Sequence, residues 1–171
     1  MKNQRMLEEL LELMRIDVSS GQETELADCL VKKLEQMGFS ITRDEAGATF
    51  GGVCGNILAV REGEREGVAC FCSHMDRVPG GIGIRPVEDN GILRSSGDTI
   101  LAADDLSGVA AILEGVRQAI ESGKELPKLE ILFTVGEEAG LYGAKAFDVS
   151  LLMAKTMYVL DSPGRIGRIV N

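Results

Sequence analysis

Two adjacent carboxylates, Asp104 and Asp105, lie in the stretch Ile100–Gly108 (ILAADDLSG), where an apolar segment gives way to an amphipathic helix pattern. Three other stretches point at the same chemistry: Ser73-His74-Met75-Asp76, Gly136-Glu137-Glu138 and Leu160-Asp161-Ser162. Each follows, or ends, an apolar run rich in β-formers. Acidic and imidazole groups at the ends of several strands are what a metal site at the edge of an α/β sheet requires.

Each stretch also has a plainer reading. His74 is the only histidine, and a lone histidine is more often structural than a ligand. With Asp76 two residues on, though, it matches a ligand and its partner: one ring nitrogen binds a cation while the other donates to a carboxylate. Asp104 and Asp105 suit a helix N-terminus. Glu137-Glu138 reads as a solvated turn, and Asp161 as the cap of the Ser162-Pro163-Gly164 turn. Four such coincidences, all at strand ends, favour metal. Adjacent glutamates cannot point the same way, so one can bind metal while the other holds and deprotonates a water.

The elements that must position these groups follow from periodicity. Helical spacing runs over Asn3–Arg15, with Met6, Leu7, Leu10, Leu11 and Met14 on one face. Ser20-x-x-Glu23 reads as a capping box before a second helix carrying Leu26, Cys29, Leu30, Leu34 and Met37, ended by Gly38. Strands are expected at Phe39–Asp44, Asn56–Arg61 and Val68–Ser73, the last buried on both faces. Ile84–Ser95 reads as a hairpin turning at Asn90-Gly91. A third helix begins near Asp105, with Leu106, Val109, Ala110, Leu113, Val116 and Ile120 inward. A buried strand at Leu129–Val135, short helices near Leu141–Phe147 and Leu151, and a strand at Thr156–Leu160 complete the series; Gly164–Val170 could begin one more. The fold class is α/β, a three-layer α/β/α arrangement around a mixed, mostly parallel sheet, with helices on both sides.

Bulk properties exclude several functions. The 171 residues suffice for one domain with a real core. No apolar run reaches membrane-spanning length, and Glu8, Glu9 and Glu12 interrupt the apolar face of the N-terminal segment, which rules against a signal peptide. The cytoplasm is the expected compartment. A net charge of −9 argues against a nucleic-acid partner. Cys29, Cys54, Cys70 and Cys72 fit neither a redox motif nor paired zinc knuckles and read as reduced structural thiols. Gly81 and Gly83 resemble a phosphate-binding pattern without its strand–turn–helix setting.

The stretches SHMDRVPGGIGIRPVEDNGILRSSGDTILAADDLSGVAAILEGVR, FTVGEEAGLYGAK and YVLDSPGRIGRIV, taken in order, resemble the M20 family of dinuclear zinc peptidases, and most of all its peptidase T (tripeptide aminopeptidase) branch. The resemblance runs from Ser20 nearly to the end. It implies metal-dependent hydrolysis of short peptides, with His74 and Asp161 on one zinc, Asp104 bridging, Glu138 on the second, Asp76 orienting His74 and Glu137 as general base. It also makes Asp104–Asp105 a candidate cis peptide bond. The alternatives are another M20 activity, deacylase or carboxypeptidase, or a non-catalytic assembly remnant. Arg77 and Leu106 depart from the family pattern, where Thr and Lys are usual. Members of the family are longer. Residues 1–171 correspond to the N-terminal part of the catalytic domain, leaving the fold incomplete at its C-terminal end. The lid and dimerisation domain, the rest of the catalytic domain and a histidine for the second zinc are not in this sequence. The expectation is therefore at most one firmly bound zinc, little activity of this chain alone, and a homo-oligomer formed through uncovered apolar surface.

Overall fold

In the computed structural model, which describes residues 4–162, the helices are α1 (Gln4–Met14), α2 (Thr24–Gln36), α3 (Ala103–Glu121) and α4 (Tyr142–Ala146). The strands are β1 (Ser40–Arg43), β2 (Ile57–Arg61), β3 (Val68–His74), β4 (Pro86–Asp89), β5 (Ile92–Ser95), β6 (Lys128–Thr134) and β7 (Met157–Val159). Five strands form one sheet in the order β1-β2-β6-β3-β7. The strand suggested at Gly164–Val170 lies outside the described residues.

The α/β architecture is as expected, but the sheet is evenly mixed rather than mostly parallel. β1–β2 and β2–β6 pair antiparallel, β3–β6 and β3–β7 parallel. The connections explain this: only those carrying α3 and α4 return the chain to the same end of the sheet, as parallel pairing requires. β4 and β5 form the expected hairpin, with Asn90 and Gly91 at φ 52° and 79°. Two positive φ values in succession are what a two-residue hairpin turn of this twist demands.

Alternation along the strands divides the core. Ile57, Ala59, Leu129, Ile131 and Phe133 face α1, α2 and α3, meeting Leu13, Leu30 and Leu113. Leu58, Cys72 and Leu132 face the other way, against Phe147, Leu152 and Met157. Among the described residues that second face carries only the short segment around α4, fastened by the buried Glu130 carboxylate, which accepts from the Met153 and Ala154 amides at 2.9 and 3.1 Å.

Two local expectations are corrected. The buried face of α1 centres on Glu9, Leu13 and Met14 rather than on Leu7 and Leu11. Periodicity discounts a glutamate, but Glu9 is held by Lys33 at 2.8 Å and Arg117 at 2.7 Å, which offsets its desolvation. Nor do Ser20 and Glu23 form a capping box. Glu23 itself occupies the N-cap position of α2 without a side-chain cap bond, and the two side chains reach other elements.

The strand order also fixes where a ligand can sit. From β3 the chain passes through α3 to β6 on one side, then through α4 to β7 on the other. A crevice opens at the carboxyl ends of parallel strands where such connections diverge. His74 ends β3, Glu137 follows β6, Asp161 follows β7 and Asp104 stands at the entry to α3.

Candidate metal centre

His74 is buried, and its two ring nitrogens have separate partners. Nδ1 lies 3.1 Å from the Asp76 backbone carbonyl. A carbonyl only accepts, so Nδ1 carries the proton and Nε2 presents its lone pair when the ring is neutral. Nε2 faces three carboxylates: Asp104 Oδ1 at 3.2 Å, Asp161 Oδ2 at 3.9 Å and Glu137 Oε2 at 4.0 Å.

Asp76 meets His74 and a second partner as well. Its carboxylate stands 3.6 Å from His74 Nδ1, and its shorter contacts lie elsewhere. Oδ1 accepts the Glu137 amide at 2.8 Å, and Oδ2 accepts the Glu138 amide at 3.1 Å and the Ser20 hydroxyl at 2.5 Å. Burial pushes the carboxyl up, but the bonds from His74, Ser20 and the Glu137 amide outweigh it and hold it below its ordinary range. Asp76 thus meets His74 through its carbonyl and, at longer range, its carboxylate, and meets the glutamate turn through its side chain.

The Asp104–Asp105 bond is cis, and the preceding Ala102 is left-handed at φ 59°. Regular helix begins only after Asp105. The two carboxylates separate completely: the Asp104 side chain is 72% exposed toward the crevice, whereas Asp105 is buried and accepts the Ser73 hydroxyl at 2.6 Å and the Gly108 amide at 3.1 Å. Burial, opposed by the Ser73 bond, pushes the Asp105 carboxyl up to about 6. Asp105 therefore anchors the start of α3 to the end of β3.

These donors fit a divalent cation. Donors held at about 2.0–2.1 Å on a tetrahedral zinc lie about 3.3 Å apart. His74, Asp104 and Asp161 offer atoms all within 4.8 Å of one another, and so do His74, Glu137 and Glu138. Glu138 groups with His74 and Glu137; no three-donor group among the described residues contains both Glu138 and Asp104. Among the described residues no Lys or Arg pairs with Asp104, Glu137, Glu138 or Asp161, and His74 is the cationic side chain beside Asp104, Glu137 and Asp161. Burial would lower the His74 pKa, but Asp76, Asp104 and Asp161 outweigh it and raise it to about 9. Burial also raises the Glu137 and Glu138 carboxyls, and neighbouring carboxylates add to it. One imidazole among uncompensated carboxylates is the field a bound cation would neutralise.

The sequence reading did not assign Ser20, Glu23 or Ser73 to this site. Ser20-x-x-Glu23 was visible but matched a commoner helix-start pattern, and Ser73 carried no signal beyond adjoining His74. A cavity of about 320 Å³, lined by Leu132, Phe147, Leu152 and Met157, opens onto His74, Glu137 and Asp161.

The chain is similar to known peptidases. A model of the family described as Peptidase family M28 matches residues 56–165. An aminopeptidase PepT structure from Bacillus cereus is 37% identical with a TM-score of 0.93, over 96% of this chain and 45% of that one. A tripeptidase structure from Staphylococcus aureus is 34% identical with a TM-score of 0.90, over 95% of this chain and 44% of that one. The Bacillus subtilis protein YqjE is 40% identical over 97% of this chain and 45% of its own length. The chain thus spans under half the length of each. The likeness to peptidase T stands, while the matching family model is M28 where the motifs pointed to M20. Short acidic and histidine patterns at strand ends are dictated by metal chemistry and do not by themselves separate one metallopeptidase family from another.

Proposed function

The chain belongs to peptidase family M28, and on that premise we propose that the whole protein is a metal-dependent hydrolase of peptide bonds in short peptides. The observation that carries this reading is His74 Nε2, which faces Asp104, Asp161 and Glu137 within 4.0 Å at the carboxyl ends of three parallel strands. The finer reading is an M20-type, peptidase T-like aminopeptidase. It rests on the order of the motifs and the likeness to the Bacillus cereus aminopeptidase. The order of the motifs assigns residues 1–171 to the N-terminal part of such a catalytic domain, and the 45% share of that chain covered supports a partial span.

His74, Asp104 and Asp161 would hold one zinc, and Glu138 would contribute to a second. Bound there, the metal supplies Lewis-acid polarisation of the scissile carbonyl and acidifies a water. Glu137 takes the proton from the attacking water and returns it to the leaving amine. Burial, the leading cause, raises its carboxyl above the ordinary range, the direction in which a carboxylate becomes a better proton acceptor. Asp76 keeps Glu137 in place through its backbone, and Ser73 with Asp105 fixes Asp104 at the mouth of the crevice. The adjoining apolar cavity leaves room for substrate beside these groups.

A zinc site needs about three protein donors beside its water. With one histidine in the sequence, a second metal would have carboxylates alone. We therefore expect this chain by itself to hold one zinc firmly and to turn over peptides poorly. It would associate through the exposed apolar side chains of β7 and the 149–153 segment. No helix among the described residues is long and apolar enough to cross a membrane, and the four cysteines are free, which supports a reducing compartment such as the cytoplasm. The net charge of −9 supports the reading without nucleic acid.

Zinc titration of the purified chain, with a tripeptide as substrate, tests this. One zinc per chain, lost on His74→Ala, is the expected result. No uptake refutes the metal-hydrolase reading. Two tight zincs with tripeptide turnover refute the one-metal restriction.

A further inference from the structure

The side chains of the Ser20-x-x-Glu23 pattern cap no helix; Glu23 reaches the turn carrying Glu137 and Glu138 directly, and Ser20 reaches it through Asp76. Glu23 is fully buried. Its Oε1 accepts the Gly21 amide at 2.8 Å and the Gly136 amide at 3.2 Å, while Oε2 has no partner among the described residues. Ser20 donates at 2.5 Å to the Asp76 oxygen that also accepts the Glu138 amide, and the other Asp76 oxygen accepts the Glu137 amide. Three consecutive amides, 136 to 138, are therefore held by two carboxylates. One carboxylate belongs to the pattern, and the other is fixed by it.

Gly136 is confined from a third side. Its φ is +59°, and a Cβ there would lie 2.5 Å from the Phe50 ring, which itself stacks on Tyr142 at 4.9 Å. A buried carboxylate with one idle oxygen costs stability that an apolar or amide side chain would not. Helix capping does not account for Glu23, whereas its hold on the Gly21 and Gly136 amides does.

We propose that Ser20 and Glu23 are positioning residues that set where the Glu137 and Glu138 carboxylates stand. Their effect on the metal rests on the hydrolase reading above; their effect on the turn does not. Both are read on the full chain with Ser20→Ala, Ser20→Thr and Glu23→Ala. One measurement is amide hydrogen exchange at residues 136–138 against the β6 core. The other is the visible absorption and affinity of added cobalt(II). In Ser20→Ala the Glu137 and Glu138 amides exchange at least about tenfold faster while Ile131 is unchanged. Cobalt affinity falls about tenfold with an altered spectrum, and Ser20→Thr restores both. Glu23→Ala acts first on the Gly136 amide. A loss of thermal stability in Ser20→Ala with exchange at 136–138 and the cobalt spectrum unchanged overturns the proposal. If the wild-type chain takes up no cobalt, the metal reading fails, and the exchange rates alone decide whether Ser20 and Glu23 set the turn.

Discussion

Asp76 meets Glu137 through the backbone: Asp76 Oδ1 accepts the Glu137 amide at 2.8 Å, and its other oxygen takes the neighbouring Glu138 amide at 3.1 Å. A residue two positions beyond the one imidazole thus positions the carboxylate assigned as general base. Asp76→Ala is expected to weaken zinc binding by about 10–100-fold, the range for outer partners of metal ligands. Asp76→Asn weakens it less, because one acceptor remains. Competition with a chromogenic chelator measures both, and unchanged affinity in Asp76→Ala would count against this arrangement.

Zinc stabilises any fold that binds it in the native state alone, by about 2.7 kcal/mol at 100 times its Kd. Wild-type chain should therefore show a zinc-dependent rise in Tm, and His74→Ala should show none. Asp104→Ala, which removes a donor 3.2 Å from Nε2, should retain only a fraction of the rise. An equal rise in all three would place the bound zinc elsewhere.

The acid limb of stability should report Glu114. This buried carboxylate on α3 receives two bonds from Arg5 of α1 at 2.8 Å, one from Gln118 at 2.8 Å and one from Arg117 at 3.2 Å. The Arg5 bonds lead in lowering its pKa from 4.5 to about 2. A depressed folded-state pKa means stability fully present above the unfolded value and lost as pH falls through the folded one. Glu114→Gln should melt below wild type at pH 6, by about 2–4 °C per kcal/mol, and the gap should close between pH 4.5 and 2. A gap independent of pH would show that the contribution is not ionic.

Asn56 joins three elements without taking part in the metal chemistry. Its amide donates to Asp44 at 2.7 Å and to the Gly143 carbonyl at 2.9 Å, and its oxygen accepts the Val135 amide at 3.1 Å. Asn56→Ala leaves buried partners unsatisfied, at about 1–3 kcal/mol for each. Asn56→Asp should cost more, since a second carboxylate would face Asp44. Urea denaturation compares the two, and a milder Asn56→Asp would contradict the assigned contacts.

Self-association is expected at β7, the edge strand of the sheet among the described residues, where Tyr158 and Val159 are 59% and 57% exposed. Light scattering should show mass rising with concentration for wild type and falling back in Val159→Lys. A monomer across the whole range would dispose of the idea.

The sequence by itself determined where the candidate ligands lie in the fold. His74, Asp104, Glu137, Glu138 and Asp161 each adjoin an apolar run or the start of an amphipathic helix, because a strand buried between layers must be apolar and its polar neighbours can lie only past its end. Asn90-Gly91 fixed a hairpin for the equally local reason of its left-handed φ values. Tertiary structure decided what each polar group does once there. Asp104 and Asp105 are chemically identical neighbours, yet one faces the crevice and the other is buried against Ser73. Asp76, two residues from His74, gives its carboxylate to amides more than sixty residues away. Ser20 and Glu23 carry the local pattern of a helix cap and serve a distant turn instead. Periodicity places a residue on a strand end or a face. The partner of its hydrogen bond is settled only when β3, β6 and β7 bring their carboxyl ends side by side.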